Sequence, residues 1–327
     1  MNLTDVQAAG WLLARDRFLI LTHVRPDGDT VGCAAGLCQA LREQEKTAWV
    51  LPNPEMTAIF TPYVEGLLAP EGYAPDTVVS VDIAARSLFP ENAVPYLPQV
   101  GLAIDHHPSQ EFFAQNTCLD AGRAACGELV YDIVRRWGPV SPRAALPLYV
   151  AVSTDCGCFV YSNTSAACHR TAAALMDTGI DVYPVNRRHF RSKSVKRLQL
   201  EGMLTAGMEL RDGGETALVT LTLDMLAQLN AREEDIDDIS AFVGQIEGVR
   251  TGVTLRELRP GVCKLSLRTD PGDLNASRVC GLLGGGGHAA AAGATLEKVT
   301  VPQARAAVLD AIRQVREEGQ RAAALPR

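Results

Sequence analysis

Four short apolar runs mark the first third of the chain: RFLILTH from Arg17, TAWVL from Thr47, TVVSVDI from Thr77 and QVGLAID from Gln99. None alternates strictly between apolar and polar, so each predicts a strand buried on both faces. Between them the spacing lengthens to a helical period. In TVGCAAGLCQALREQ the residues Val31, Ala34, Ala35, Leu37, Cys38 and Leu41 share a helical stripe, and ACGELVYDIVRRWG does the same before Gly138-Pro139 stops it. Strands alternating with helices predict a parallel α/β sheet. Two further helices follow, SPRAALPLYVAVSTDCGCF and SAACHRTAAALMDTG, the second with Ser165 as N-cap and Gly179 past its end.

The texture changes after Asp181. Residues 186–208 are rich in Arg and Lys and read as a helical connector between a first domain, 1–185, and a second, 209–327. The second domain opens with strand-like alternations, ALVTLTL and RTGVTLREL, then turns at Arg259-Pro260-Gly261 into VCKLSLRT, a hairpin signal. It closes with the amphipathic helix VPQARAAVLDAIRQVREEG, so a smaller α+β domain is expected. Within it, GGGGH (Gly284 to His288) is expected to run into an alanine-rich helix.

Composition narrows the class. With 327 residues and 47% hydrophobic side chains the chain can bury one large core or two ordinary ones. The net charge of −7 argues against coating long nucleic acid, which needs a broad basic face, but allows a local pocket for a small anion. The sequence shows neither a membrane span nor a signal peptide, and nine scattered cysteines behave as small buried groups in a reducing compartment, so a cytoplasmic protein without disulfides is expected.

The chemistry sits where the apolar runs end. His23, Asp27 and Asp29 follow the first, Asp82 the third, Asp105-His106-His107 the fourth, and Asp155 lies near the end of a predicted helix. One Asp-x-Asp is ordinarily a helix cap; four such clusters, gathered at one edge of a parallel sheet, make a set of hard ligands for two divalent cations. Pro26 and Gly28 break the strand, so Asp27 and Asp29 can face neighbouring metal positions, while Asp82 bridges and Asp105 orients His106. Imidazole and carboxylate without thiolate favour Mn²⁺, with Fe²⁺, Co²⁺, Zn²⁺ or Mg²⁺ as alternatives. Two such ions about 3.5–4 Å apart polarise a phosphoryl oxygen and activate water for in-line attack, so phosphate ester hydrolysis is expected. Gly284 to His288 can cradle an anion, Arg268 offers it a planar fork of donors, and Arg187, Arg188, Arg191 and Lys193 are solvated or line a cleft. Cys156 and Cys158 are read as packing.

Together HVRPDGDTVG, VSVDIAA, DHH, STDCGCF and GGGGHAAAAG resemble the DHH/DHHA1 phosphoesterases, most closely the NrnA type, over nearly the whole chain. The resemblance implies a DHH domain with a parallel sheet and helices on both faces, then a DHHA1 domain. It implies one Mn²⁺ on His23, Asp27 and Asp82, the other on Asp29, Asp82, His106 and Asp155, and His107 near the scissile phosphate, with His107, Asp82 and Asp105 as the catalytic set. Arg268 and the loop Gly285, Gly286, Gly287 and His288 would hold a terminal nucleotide. The implied substrates are short RNA oligonucleotides and linear dinucleotides, cut to mononucleotides, and 3'-phosphoadenosine 5'-phosphate; a homodimer is compatible with it. Other readings are a cyclic-dinucleotide phosphodiesterase, an inorganic pyrophosphatase and a non-catalytic nucleotide sensor. Departures from the family pattern are Cys33, Gln110 and Cys156, where Ser, Asn and Thr are common.

Overall fold

The structure, a computed structural model, describes residues 1–236, 239–270 and 272–323. Two compact units emerge, Met1–Ser192 and Lys193–Arg327, so the expected connector is divided: the π-helical turn Arg187–Arg191 belongs to the first unit, and the helix Val195–Ala206 to the second.

The first unit runs α1 (Asp5–Leu13), β1 (Phe18–Leu21), α2 (Gly28–Glu43), β2 (Ala48–Val50), α3 (Thr61–Val64), β3 (Thr77–Val81), β4 (Val100–Asp105), β5 (Asn116–Leu119), α4 (Cys126–Val134), α5 (Pro142–Asp155), α6 (Ala166–Met176) and α7 (Tyr183–Asn186). Its sheet has the order β2-β1-β3-β4-β5 with every pair parallel. The apolar runs lack alternation because both faces are covered. Phe18, Ile20, Val79, Val81, Leu102 and Ile104 pack toward α1, α2, α4, α5 and α6, whereas Leu19, Leu21, Val78 and Val100 meet Phe89, Ala93 and the 3₁₀ segment Glu91–Gln99. The edge strand β5 carries no apolar run to announce it; only its central Thr117 and Cys118 are buried.

Helix α2 is nearly all buried, and its glycines explain how. Gly28, Gly32 and Gly36 recur every fourth residue on the face toward α5, where an added Cβ would stand 2.2 Å from Thr154 Oγ1, 2.3 Å from Pro147 O and 2.6 Å from Leu148 Cγ respectively. Missing side chains let the two backbones approach, as in close helix pairs elsewhere. The helix expected to continue to Phe159 ends at Asp155, because Gly157, Cys158 and Phe159 turn left-handed at φ 54°, 55° and 67°.

The second unit runs α8 (Val195–Ala206), β6 (Glu209–Arg211), β7 (Thr216–Leu221), α9 (Leu223–Leu229), β8 (Thr251–Arg259), β9 (Val262–Thr269), α10 (Ala276–Leu282), β10 (Gly286–Gly287), β11 (Ala291–Glu297) and α11 (Val301–Ala323). Its sheet has the order β10-β11-β9-β8-β7-β6, parallel at β7–β8 and otherwise antiparallel. One face carries α10 and α11, with Ala304, Val308, Ala311, Ile312 and Val315 packed among Val253, Leu255, Leu265 and Leu267. α8 and the 3₁₀ segment Ile239–Gln245 pack on Ala217, Val219 and Leu221 of β7 from the other.

One expectation is overturned here. The alanines after GGGGH form no helix; they turn at Ala289-Ala290 and become β11, hydrogen-bonded along its length to β9. Helix propensity yields to period-two burial, with Ala292, Ala294 and Leu296 facing the core.

Candidate functional site

All the expected ligand segments lie at the carboxyl ends of β1, β3 and β4 and at the ends of α2 and α5, the position where open parallel sheets build sites. Asp27 caps α2, accepting the Asp29 and Thr30 amides at 3.0 and 3.2 Å. Its carboxylate also lies 3.4 Å from His23 Nε2. His23 gives Nδ1–H to the Val24 carbonyl at 2.8 Å, which turns Nε2 toward the Asp27 and Asp82 carboxylates.

Asp82 follows β3 in a left-handed conformation, φ 58°, which a non-glycine residue adopts at a cost of about 1–2 kcal/mol. It is 3% exposed, and its Oδ1 finds no hydrogen-bond partner among the described residues. Its two oxygens face different neighbours: Oδ2 is 3.7 Å from His23 Nε2, while Oδ1 is 3.5 Å from both His106 Nε2 and His107 Nδ1. His106 Nε2 in turn lies 3.7 Å from Asp29 Oδ2 and 3.7 Å from Asp155 Oδ2. Ligand atoms of His23, Asp27 and Asp82 fall within 4.8 Å of one another, as do those of Asp29, His106 and Asp155, and of Asp82, His106 and His107. Asp82 thus stands between two clusters.

Charge makes the same point. Burial, then the charges of Asp155 and Asp27, pushes the Asp29 carboxyl well above the usual range; burial, then Asp29 and Asp27, does so for Asp82. Burial also raises Asp155, against the opposing pull of His106. Asp29 is further held by the Cys126 and Gly127 amides at the start of α4, at 2.7 and 2.9 Å, and by the Cys33 thiol at 3.2 Å. Crowded carboxylates with an orphaned oxygen, and imidazole nitrogens turned toward them, fit two divalent cations by donor type and by charge.

Asp105 does not orient His106. It is fully buried and takes the His106 and His107 amides at 2.8 and 3.3 Å, His107 Nδ1 at 2.8 Å and Gln110 Nε2 at 2.5 Å. His106 is instead held by the Arg123 carbonyl, 3.1 Å from its Nδ1. The backbone decides this: Asp105 Oδ1 accepts the two amides that follow it, and the carboxylate faces His107. Gln110, at a position where the family pattern differs, bridges Asp105 and the Ile83 carbonyl.

Cys156 Sγ lies 3.1 Å from Cys168 Sγ in the core, and none of the nine cysteines is paired in a disulfide. Arg187, Arg188 and Arg191 are exposed in the first unit; Lys193, in the second, binds Glu201 at 2.9 Å.

In the second unit the glycine loop joins α10 to the sheet. Gly284 and Gly287 have positive φ, 76° and 141°, and a Cβ on Gly287 would stand 2.6 Å from Ala292 Cα. His288 and Ala291 exchange backbone hydrogen bonds at 2.8 and 3.3 Å, and Ala291 is registered with Arg268. Directly opposed residues share a face, so His288, Ala291 and Arg268 form one row, His288 and Arg268 roughly 10 Å apart with only a methyl between. The Gly284, Gly285 and His288 amides are spent on the Gly281, Cys280 and Ala291 carbonyls, so what this row offers a phosphate-bearing ligand is the Arg268 cation and the His288 imidazole.

Clusters of His and Asp donors that meet at Asp82, on the carboxyl edge of a parallel sheet, are the arrangement of a metal-dependent phosphoesterase. Residues 17–153 match the DHH family, N-terminal domain, and residues 216–318 the DHHA1 domain. The chain is 34% identical over 301 residues to the bifunctional oligoribonuclease and PAP phosphatase NrnA of Thermus thermophilus, covering 90% of this chain and 89% of that one, and 24% identical over 288 residues to NrnA of Bacillus subtilis, covering 86% and 90%. A crystal structure of an exopolyphosphatase-related protein from Bacteroides fragilis superimposes with a TM-score of 0.84 at 25% identity over 96% of each chain. The chain belongs to the DHH/DHHA1 phosphoesterases, of the NrnA type, and is a hydrolase acting on phosphodiester bonds. Among the described residues no helix is long and apolar enough to cross a membrane.

Proposed function

We propose that the chain is a Mn²⁺-dependent phosphodiesterase that releases mononucleotides from short RNA oligonucleotides, linear dinucleotides included, and also dephosphorylates 3'-phosphoadenosine 5'-phosphate. The observation that carries this reading is Asp82, strained, buried and unsatisfied between two clusters of hard donors. The names of the Thermus and Bacillus relatives supply the substrate class. His23, Asp27 and Asp82 would hold one cation, and Asp29, Asp82, His106 and Asp155 the other. When bound, such ions neutralise phosphoryl charge and lower the pKa of water. His107, its ring fixed by Asp105, presents its other nitrogen to the scissile phosphate. Arg268 binds the terminal nucleotide by charge-assisted hydrogen bonds, with Gly285, Gly286, Gly287 and His288 forming the loop that lies against it.

Purified protein with Mn²⁺ and labelled RNAs of two to five residues should yield mononucleotides; intact RNA at generous enzyme concentration would refute the reading. Running pyrophosphate and a cyclic dinucleotide alongside separates it from its nearest competitors. Asp82→Ala should lower kcat at least about a thousandfold, since several kcal/mol of charge stabilisation are lost and each 1.4 kcal/mol is tenfold.

A further inference from the structure

We infer that Arg123 and the buried Glu128 are positioning residues that aim His106 through the peptide bond between Arg123 and Ala124. That peptide's carbonyl accepts Nδ1–H of His106 at 3.1 Å, and its N–H donates to Glu128 Oε1 at 2.9 Å. A peptide unit is planar, so fixing the N–H fixes the direction of the C=O. Glu128 has no solvent exposure, although it sits on a helix whose neighbouring positions are apolar, and its second oxygen lies 3.5 Å from Arg123 Nη1. The Arg123 fork is completed by Asp120 at 3.0 Å and Asp132 at 2.6 Å, so three carboxylates hold one guanidinium. The resulting line runs from carboxylate to peptide to imidazole, the same support that metal-binding histidines commonly draw from a direct carboxylate, here relayed through one amide.

The same short segment holds the rest of that cluster. The Cys126 and Gly127 amides grip Asp29, and the Ala124 carbonyl accepts from Asn163, whose amide also reaches the Asp155 carbonyl at 3.1 Å. Asp29, His106 and Asp155 are therefore all tied to residues 123–127 or their direct partner. His23 is tied elsewhere, to Val24. Disturbing Arg123 or Glu128 should loosen one cation position and spare the other.

This inference rests on the two-cation reading, and the experiment separates the two. Titrating metal-free protein with Mn²⁺ alone, by calorimetry and by electron paramagnetic resonance, should show two equivalents in the wild type. Glu128→Gln keeps the shape and the acceptor for the Ala124 amide but removes the charge; Arg123→Lys keeps the charge but removes the fork. Each should weaken one equivalent roughly tenfold to a hundredfold, leave the other within twofold, and lose the coupled two-ion signal. Excess Mn²⁺ should restore kcat with an unchanged KM, which a merely damaged fold would not allow. Should Glu128→Gln fail to fold, Arg123→Lys carries the test. Equal weakening of both equivalents, or of neither, in variants whose wild type binds two, overturns the inference; a wild type that binds fewer than two removes the two-cation reading and this inference with it.

Discussion

The acids of the first unit divide sharply by what they touch. Asp105 is saturated by four donors and can hold all of them only as an acceptor on both oxygens. Asp105→Asn turns one oxygen into a donor that meets another donor, at a cost of about 1–3 kcal/mol, and frees the His107 ring. The expected outcome is a lower Tm and a kcat reduced about tenfold to a hundredfold, with both Mn²⁺ equivalents retained; loss of a metal equivalent instead would make Asp105 a ligand. Asp29 and Asp82 behave in the opposite way, since burial and neighbouring carboxylates push both upward. Their folded-state pKa values exceed those of the unfolded chain, so the metal-free fold binds more protons than the unfolded chain does. Their contribution to stability therefore shrinks as pH rises above about 4. Cations must displace those protons. Mn²⁺ affinity should fall as pH falls, and calorimetry in buffers of different ionisation enthalpy should register proton release on binding. Affinity flat between pH 5.5 and 8 would contradict this.

Between elements, the decisive contact is α2 against α5, because α2 carries Asp29 at its start and α5 carries Asp155 at its end. Gly32→Ala puts a methyl 2.3 Å from the Pro147 carbonyl and 2.7 Å from the Ala151 amide nitrogen, both backbone atoms that cannot swing away. It should destabilise the protein by about 1–3 kcal/mol and weaken Mn²⁺ binding, while Gly10→Ala on α1, where a methyl meets nothing within 4 Å, should do neither. A Gly32→Ala protein with wild-type Tm would show that the helices part freely. The glycine spacing that sets this contact is plain in the chain, yet apolar periodicity alone passes over it, since it marks what is absent from a face. The buried strands were legible because both their faces are covered, and the candidate ligands because they cluster just after such runs or, for Asp155, at the end of a helix. β5 was not, being a polar edge, and β11 was misread because alanine favours helices until a neighbouring strand claims its backbone. The histidine support was equally hidden: it depends on the Arg123 carbonyl, a group every residue possesses. Glu128 and Asp132, four apart on an apolar helix, were the only written sign of it.

For the molecule as a whole, a net charge of −7 must coexist with an anionic substrate. Local charge resolves this. On the proposed reading Arg268, with His288 in the same row, supplies a local positive site, enough for one or two phosphates and far from a track for a long strand. Removing one charge-assisted bond of about 1.5–3 kcal/mol by Arg268→Ala should raise KM for a dinucleotide roughly tenfold to a hundredfold, with two Mn²⁺ still bound and kcat at saturation little changed. The salt dependence of KM distinguishes a local row from an extended surface. Neutralising Z phosphates on a single strand changes log affinity by about 0.7Z per decade of salt, so one or two contacts imply a slope of about 0.7–1.4. That slope should hold for RNAs of two and of five residues alike, because added nucleotides meet no added cations in the row. A slope that climbs with RNA length would mean that a basic track engages the strand, and the local-row account would fail.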